Sequence, residues 1–341
     1  MEVRYVVASR GSQLALCQTA LAVAKLRLTY DRTQGSLPDF TISTQRAVGD
    51  KNREDWALAA KKLPVEALSR KWTFELEKGV SDSDFDLAIH SGKDLSFRPF
   101  EHTEIIPILE REDPRDVWIP KDPSMRSLDN LRNSAIVGTN SNRRRANLRV
   151  RHPNLRFSDY SGNVTTRILP EQMESAGVDG IVMAAAGLKR LQLFDPQRMF
   201  PLNPDFFMPS GNQGILAAQV NINCDPALKE HLLKLRDRRT SLQWYAERGF
   251  LEQFEGTCET PISVFASVKE DTEALFLCLR ARIPMRSGFE HICVEASRVL
   301  EASEDFDVQI QSAREIGRGL AETAHRAGAT NATAVQHKIE S

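Results

Sequence analysis

Short apolar runs alternate with amphipathic helical stretches through the first part of the chain. Residues 5–8, 39–44 and 85–90 have the composition of buried strands, and leucines and a valine recur through 12–26 in a pattern typical of an amphipathic helix. Strands separated by helices pair in parallel, because the helix returns the chain to the starting edge of the sheet. The pattern therefore predicts an α/β sheet.

A second unit of the same kind follows the charged, proline-containing stretch 110–116. Residues 135–139 and 180–184 are strand-like, and the stretches 143–150 and 186–191 that follow them predict helices. The pattern thus predicts two successive α/β units.

The remainder of the chain has a different pattern. A long helix is predicted over 241–254, alternating runs near 262–266, 274–279 and 291–294 predict a small sheet, and 307–327 predicts a final helix. We expect the tail, 328–341, to be disordered because it has few bulky apolar residues.

Composition narrows the possible partners. Of 341 residues, 41% are hydrophobic and 27% charged, which is enough apolar sequence for two or three cores. The 45 basic residues nearly balance the 46 acidic residues, so no overall field attracts nucleic acid or a membrane. No apolar stretch approaches the roughly 20 residues of a membrane span. We expect a cytoplasmic protein with no nucleic-acid or membrane partner.

The five cysteines are widely spaced and form no C-x-x-C pair, so we expect reduced thiols and no metal site. Cys258 follows a glycine in a turn after the predicted helix, where a thiol could carry a covalently bound group. The alternative is a small buried side chain, which is the commoner role of a lone cysteine. We expect Cys17, Cys278 and Cys293 to pack in the core.

Two polar segments follow strands, where open α/β sheets bind ligands. The first is HSGKD at 90–94, and the second is TNSNRRR at 139–145, with three arginines at the start of a helix. Backbone N–H groups, the helix dipole and guanidinium groups together favour carboxylates or phosphates. The alternatives are a solvated loop and a charged helix end.

Six ordered segments resemble the porphobilinogen deaminase, or hydroxymethylbilane synthase, family over nearly the whole chain. The matching segments are ASRGSQLA at 8–15, HSGKDL at 90–95, VGTNSNRR at 137–144, GNVTTR at 162–167, AAAGLKR at 184–190 and AER…EGTCETP at 246–261.

The resemblance implies a three-domain α/β protein with two lobes like those of type II periplasmic binding proteins and a small α+β C-terminal domain. The corresponding boundaries are 1–111 with 216–238 for domain 1, 112–215 for domain 2 and 239–327 for domain 3. It also implies a monomer.

The resemblance further implies a dipyrromethane cofactor bound covalently at Cys258 and a small-molecule substrate, porphobilinogen or a related carboxylated molecule. Four porphobilinogens would be joined into hydroxymethylbilane with loss of ammonia. Asp94 and Lys93 are the implied catalytic residues. The implied cofactor contacts are Cys258, Arg143, Arg144, Ser141, Lys93, Asp94 and Arg167, and the implied substrate contacts are Arg10, Ser12, Arg167, Arg190 and Trp72.

Several positions depart from the family pattern. The family's glycine- and lysine-rich loop is replaced over 65–72 by a segment without glycine, which predicts a stiffer lid. Ser161 stands where the family has arginine, Asn212 where it has glycine, and Gln219 where it has an acidic residue. Two alternatives to a working deaminase therefore remain: a paralogue acting on another small anionic or natural-product-like substrate, and a non-catalytic ligand-binding protein.

Overall fold

The computed structural model describes residues 3–30, 37–47, 67, 70–254, 256, 260–285 and 290–329. Within them the chain forms two compact units, Met1–Arg111 with Ile215–Ser241 and Glu112–Gly214 with Leu242–Ser341. The finer division of the second unit into a lobe and a C-terminal domain stays a prediction. Most of the tail predicted to be disordered, 330–341, lies outside the described residues.

Thirteen strands and nine α-helices are described. The strands are β1 (Arg4–Arg10), β2 (Asp39–Gln45), β3 (Leu87–Ser91), β4 (Thr103–Ile108), β5 (Asp116–Pro120), β6 (Ile136–Gly138), β7 (Arg156–Ser158), β8 (Gly180–Ala184), β9 (Phe200–Pro201), β10 (Leu216–Asn221), β11 (Ser263–Glu270), β12 (Ala274–Pro284) and β13 (His291–Glu301). The helices are α1 (Gln13–Arg27), α2 (Phe74–Ser81), α3 (Asn142–Arg151), α4 (Val164–Arg167), α5 (Pro170–Ser175), α6 (Ala185–Arg190), α7 (Pro226–Leu233), α8 (Arg238–Leu251) and α9 (Phe306–Arg326).

The first unit is built on one five-stranded sheet in the order β2-β1-β3-β10-β4. β1 pairs in parallel with β2 and β3, as the strand–helix alternation predicts. β10 is antiparallel to both of its neighbours, β3 and β4, so the sheet is mixed. The parallel part brings the carboxyl ends of β1 and β3 to the same edge, where Arg10 and the segment after Ser91 lie.

Helix α1 packs against this sheet with a narrower apolar stripe than the sequence suggests. Its buried residues include Ala22, Val23 and Leu26, together with the polar Gln18 and Thr19, whereas Leu21 is exposed. Polar groups can be buried here because they are paired, as in the 2.8 Å bond from the Thr19 hydroxyl to Ser9. Basic residues occupy the last turn, which suits the negative end of the helix dipole.

The second unit contains another five-stranded sheet, ordered β7-β6-β8-β5-β9, and a separate antiparallel sheet, β11-β12-β13. β6 is parallel to β7 and β8, whereas β5 is antiparallel to β8. Helix α9 packs on the three-stranded sheet. The predicted α/β class with a small α+β region near the C-terminal end is confirmed.

The prediction that Cys293 is a core residue is wrong, because its strand position places it on an exposed face of the sheet. Cys278 and Cys17 are half-buried. The Cys278 thiol lies 3.5 Å from the Glu295 carboxylate, and burial raises the pKa of this thiol. Cys224 is also half-buried, whereas Cys258 lies outside the described residues.

Helices α8 and α9 touch backbone to backbone through two glycines. A β-carbon added to Gly317 would lie 2.2 Å from the Ala246 carbonyl oxygen, and one added to Gly249 would lie 2.3 Å from the Arg314 carbonyl oxygen. Neither oxygen can move without disturbing its helix. Glycine is therefore required at both positions by the separation of the two helices.

We expect Gly317→Ala to lower the free energy of unfolding by about 1–3 kcal/mol, because the new methyl group overpacks a backbone contact. Gly319→Ala is the matched control, since a β-carbon there meets nothing within 4 Å. That change should stabilise the same helix by up to about 1 kcal/mol through helix propensity. Urea unfolding of both variants checks the difference, and equal stabilities would contradict the close helix contact.

Candidate active site

Arg10 and Asp94 meet at the carboxyl edge of the first sheet. Arg10 is the last residue of β1, and Asp94 ends the 3-10 turn Gly92–Asp94 that follows β3. Their charged groups lie 3.9 Å apart, from Arg10 Nη1 to Asp94 Oδ2, and both side chains keep partial access to solvent. The site pairs a carboxylate with a guanidinium group without closing it off from a ligand.

Trp72 lies against the same arginine. The guanidinium carbon of Arg10 is 4.7 Å from the centre of the Trp72 ring, a cation–π contact, and the Lys71 ammonium group lies 5.3 Å from that ring. The structure thus brings together three of the predicted site residues, Arg10, Asp94 and Trp72.

Ser12 and Lys93 flank these residues along the chain. Ser12 is the N-cap of α1, where its hydroxyl oxygen accepts a 3.3 Å bond from the Ala15 amide. A capping hydroxyl can still donate its own proton to a ligand oxygen. Lys93 is half-buried in the turn that carries Asp94.

The altered loop lies partly outside the described residues, at 65, 66, 68 and 69, so the predicted stiffness of the lid stays a prediction. The C-terminal end of the loop is described, and Arg70 anchors it to neighbouring residues. Arg70 is buried, forms a 2.8 Å ion pair with the buried Glu77 and donates to the Arg98 carbonyl oxygen at 3.0 Å. Arg70 therefore anchors the chain two residues before Trp72.

His90 forms a buried hydrogen-bond chain beneath this site. Its Nε2 lies 2.9 Å from Gln219 Oε1, and the Gln219 amide donates to Thr103 at 2.7 Å. Burial, together with the nearby Arg10 charge, lowers the pKa of His90 to about 4. The imidazole is therefore neutral at pH 7 and donates to Gln219. Glutamine at position 219, an unusual residue for the family, is the sequence signal for this neutral pair.

In the second unit, Asp116 joins two of the predicted cofactor-binding arginines. Its carboxylate is fully buried and lies 2.6 Å from Arg143 Nη2 and 2.7 Å from Arg144 Nη2. Burial alone would raise the pKa of Asp116, but the charges of the two arginines outweigh it and lower the pKa to about 2. Asp116 is a residue that the sequence reasoning missed. Its position at the end of the charged stretch 110–116, where β5 begins, was the available signal.

The same two arginines are also fixed by backbone oxygens. Arg143 donates to the Met208 carbonyl at 2.7 Å, and Arg144 donates to the Val182 carbonyl at 2.9 Å. Ser141 is the N-cap of α3, with its hydroxyl oxygen 3.4 Å from the Arg144 amide. The arginines therefore have set orientations before any ligand binds.

Arg167, at the end of α4, is a cation without a counter-charge in the described part of the second unit. Its Nε is buried and has no hydrogen-bond partner there. Burial, reinforced by the Arg144 charge, lowers the pKa of Arg167 to about 10. A buried guanidinium nitrogen without a partner is costly, and a ligand carboxylate would satisfy it. The site therefore fits a carboxylated cofactor or substrate.

Arg190 and its neighbour Lys189 belong to a second set of contacts in this unit. Arg190 donates to the Gly214 carbonyl at 2.7 Å, and Lys189 pairs with Asp113 at 2.9 Å. Burial would raise the pKa of Asp113, but bonds from Arg115 and Lys189 lower it to about 2. Arg190 is thus held by the turn that precedes β10.

That turn explains why asparagine replaces the family's glycine at position 212. Asn212 has a φ of 58°, in the left-handed region that glycine and asparagine tolerate best. Its backbone N–H donates to Glu247 Oε2 at 2.5 Å, and the other oxygen of Glu247 accepts from Ala266 at 2.7 Å. The departure from the family pattern is therefore compatible with the turn.

The remaining departure, Ser161, is exposed and precedes Gly162, whose φ is 121°. It leaves no arginine side chain at this position. Cys258, the predicted attachment point, lies outside the described residues. No helix among the described residues is long and apolar enough to cross a membrane.

Comparisons with known proteins identify the family to which the chain is similar. A family model described as the dipyrromethane cofactor-binding domain of porphobilinogen deaminase matches residues 5–229, and the C-terminal domain of the same family matches 242–325. The chain is 34% identical to the porphobilinogen deaminase of Clostridium novyi, over 80% of this chain and 86% of the relative. It is 33% identical to that of Nitrosomonas europaea, over 90% of this chain and 93% of the relative.

Among solved structures, the periplasmic VFT2 domain of Bordetella pertussis BvgS is similar with a TM-score of 0.35 and 12% identity, over 69% of this chain and 93% of that chain. An ABC transporter structure from Parabacteroides distasonis is similar with a TM-score of 0.37 and 10% identity, over 76% of this chain and 82% of that chain.

The family models and the named relatives place the chain among the transferases. The two family matches make the relationship specific. The chain belongs to the porphobilinogen deaminase family.

We expect Asp116→Asn to lower the free energy of unfolding by about 3–5 kcal/mol, because it leaves two arginine charges without their buried counter-charge. Asp159→Asn is the control, because Asp159 pairs with another arginine of the same helix, α3. Asp159 pairs with Arg145 but is 62% exposed, so its loss should cost less than about 1 kcal/mol. Urea unfolding measures both variants, and similar small losses would contradict a structural role for Asp116.

Lowering the pH should reduce the free energy of unfolding in two separate pH ranges. The pKa of His90 is about 4 in the fold and 6.5 ordinarily, so its contribution is complete above about pH 6.5 and decreases as the pH falls towards 4. His291 acts in the same direction, since its pKa is also about 4. The pKa values of Asp113 and Asp116, about 2, make their contribution complete above about pH 4 and lost towards pH 2.

Unfolding by urea at a series of pH values measures these slopes. His90→Gln keeps a side chain able to donate a hydrogen bond but removes the titration. Its stability should fall less steeply than that of the unchanged protein between pH 6.5 and 4, and an unchanged slope would contradict a neutral, buried His90.

Proposed function

We propose that this protein is a working porphobilinogen deaminase, which joins four porphobilinogens head to tail, releases one ammonia at each addition and frees hydroxymethylbilane by hydrolysis. The observation that carries the proposal is the match of both family models, including the dipyrromethane-binding domain, across the chain. The paralogue and the non-catalytic binding protein are less well supported, because nothing in the described site favours another substrate.

Asp94 is the proposed catalytic carboxylate. Loss of ammonia from porphobilinogen leaves an electron-poor methylene pyrrole, and the pyrrole nitrogens become positive as the new bond forms. A carboxylate beside those nitrogens stabilises the positive charge and can take a proton at its free oxygen. The partial exposure of Asp94 supports this role, since a ligand can reach it. Lys93, in the same turn, is the proposed second catalytic residue.

The arginines are proposed to bind the acetate and propionate groups of the pyrroles. Arg167 is the strongest candidate, because its buried Nε has no partner in the described part of the chain. Arg10 and Arg190 are the other proposed substrate arginines, assisted by Ser12, while Trp72 offers a flat ring face to a pyrrole. Arg10 would have to share its charge between Asp94 and the ligand.

Dipyrromethane fits this set of residues because carboxylates match the orphaned donor of Arg167. When bound, the cofactor supplies the pyrrole end to which the first substrate is joined. Cys258 is the proposed covalent anchor. The proposed non-covalent contacts are Arg143, Arg144, Ser141, Lys93, Asp94 and Arg167. Asp116 already neutralises part of the Arg143 and Arg144 charge, and both arginines also donate to backbone carbonyl oxygens, so a ligand would share their N–H groups with the protein.

The protein is further proposed to act as a cytoplasmic monomer. Five widely spaced cysteines, an odd number without a C-x-x-C pair, support a reducing compartment. Size-exclusion chromatography with light scattering measures the mass in solution.

Intact-mass measurement of the purified protein tests the cofactor directly. We expect the mass of the chain plus two pyrrole units, and a colour reaction of the pyrroles with acidic Ehrlich reagent. Cys258→Ser should have the unmodified mass, whereas Cys293→Ser, at the exposed cysteine, should retain the adduct. An unmodified mass for the unchanged protein, with no ammonia released from porphobilinogen, would refute the proposed activity.

Asp94→Asn tests the catalytic step in the same preparation. Loss of a carboxylate that stabilises charge and shuttles a proton should lower kcat by about 10²–10⁴-fold. Asp84→Asn, an exposed change in the turn before β3, is the control and should keep the unchanged rate. A rate for Asp94→Asn within about threefold of the control would remove Asp94 from the mechanism.

A further inference from the structure

A cleft of about 320 Å³ opens on the second unit, beside the last turn of α3. Its walls come from that turn, from the 3-10 turn Leu128–Asn130 and from the segment 200–207. This volume is at the lower end of the range for small-molecule sites. None of the residues that line the cleft takes part in the function proposed above.

The cleft has an aromatic wall. Phe206 is 59% exposed at its edge, with the Arg151 guanidinium 4.9 Å from its ring centre, while Phe207 is buried and Phe200 is half-buried. A large apolar ring that stays exposed beside a concave surface marks a place where a flat apolar ligand would remove area from water. The shape and the ring together favour a planar aromatic guest.

The wall is held in place by the neighbouring sheet. Arg280, on β12, pairs with Asp205 at 2.5 Å, and Arg282, two residues along the strand, donates to the Phe206 carbonyl oxygen at 2.8 Å. The exposed ring is thus attached to backbone that is held at residues 205 and 206. A ligand would lose little free energy in ordering this wall.

Among the charged side chains that line the cleft, Arg126 is the cation for which no ion pair is found in the described part of the chain. Asp129 accepts two bonds from Arg151, at 3.0 and 3.1 Å, so these charges cancel. Burial lowers the pKa of His152, which keeps its ring neutral at pH 7. Arg126 lies 5.8 Å from the Phe200 ring, and no ion pair to it is found among the described residues. The cleft therefore favours a single negative charge near Arg126.

We propose that this cleft binds a small planar aromatic molecule with one carboxylate, its ring on Phe206 and its carboxylate on Arg126. The site is separate from the arginines at the start of α3. Arg143 and Arg151 are eight positions apart on that helix, or about 12 Å along its axis. The proposed ligand also differs from porphobilinogen, because it has one charge and a larger apolar ring.

Calorimetric titration with 2-naphthoate tests the proposal on the full-length protein. We expect one saturable site with a Kd of about 1 mM or tighter, the affinity typical of a ligand with this number of atoms. Phe206→Ala and Arg126→Ala should each weaken binding about tenfold, and the uncharged 2-naphthol should bind about tenfold more weakly than the carboxylate. Both substitutions are at exposed side chains, so folding should be unaffected.

Two control variants locate the binding. Arg132→Ala removes an exposed arginine outside the cleft, and Arg167→Ala removes the proposed substrate arginine; neither should change the Kd for 2-naphthoate. The proposal is overturned by the absence of saturable binding up to about 10 mM, by unchanged binding in both Phe206→Ala and Arg126→Ala, or by loss of binding in Arg167→Ala. None of these binding measurements requires turnover. A negative result in the deaminase assay and a negative result for this cleft can therefore be told apart.

Discussion

The buried carboxylate of Asp116 is the interaction on which the second lobe most depends. It starts β5, whose neighbours are β8 and β9, and it pairs with two consecutive arginines at the start of α3. One acid thereby joins the sheet to the helix that carries the most concentrated positive charge of the chain. Three like charges at the start of a helix would otherwise repel each other and oppose the helix dipole. The arginines remain there because their counter-charge is built into the sheet.

This arrangement changes what the arginines offer a ligand. Asp116 already balances part of the charge of Arg143 and Arg144, whereas Arg167 is half-buried, its Nε has no hydrogen-bond partner and no ion pair to it is found among the described residues. Carboxylate groups of a ligand would therefore bind with different strengths along the site. With the proposed contacts, an acidic product would leave this graded arrangement more readily than it would leave a uniform cluster of free cations.

Much of the fold follows from the sequence because its apolar periods are regular. The structure places β6, β8 and α9 within a few residues of the limits predicted for them, which are 135–139, 180–184 and 307–327. The meeting of Arg10 with Asp94 also follows, since Arg10 ends one strand and Asp94 follows its parallel neighbour in the same sheet. Asp116 could not be assigned this way, because its partners are 27 and 28 positions away and only the folded sheet brings them together. The outward position of Cys293 was missed because an alternating strand does not indicate which of its faces is covered.

Glu247 illustrates how a departure from the family pattern becomes part of the fold. One carboxylate oxygen accepts from Asn212, in the turn before β10, and the other accepts from Ala266, on β11. Positions 212 and 247 are therefore expected to be epistatic. A glycine at 212 would keep the backbone bond, but any larger residue without tolerance for positive φ would strain a turn that Glu247 holds in place. Substitutions in this turn are therefore tolerated only if they keep the hydrogen bonds to Glu247. This requirement limits how far the sequence can diverge while the second unit still folds.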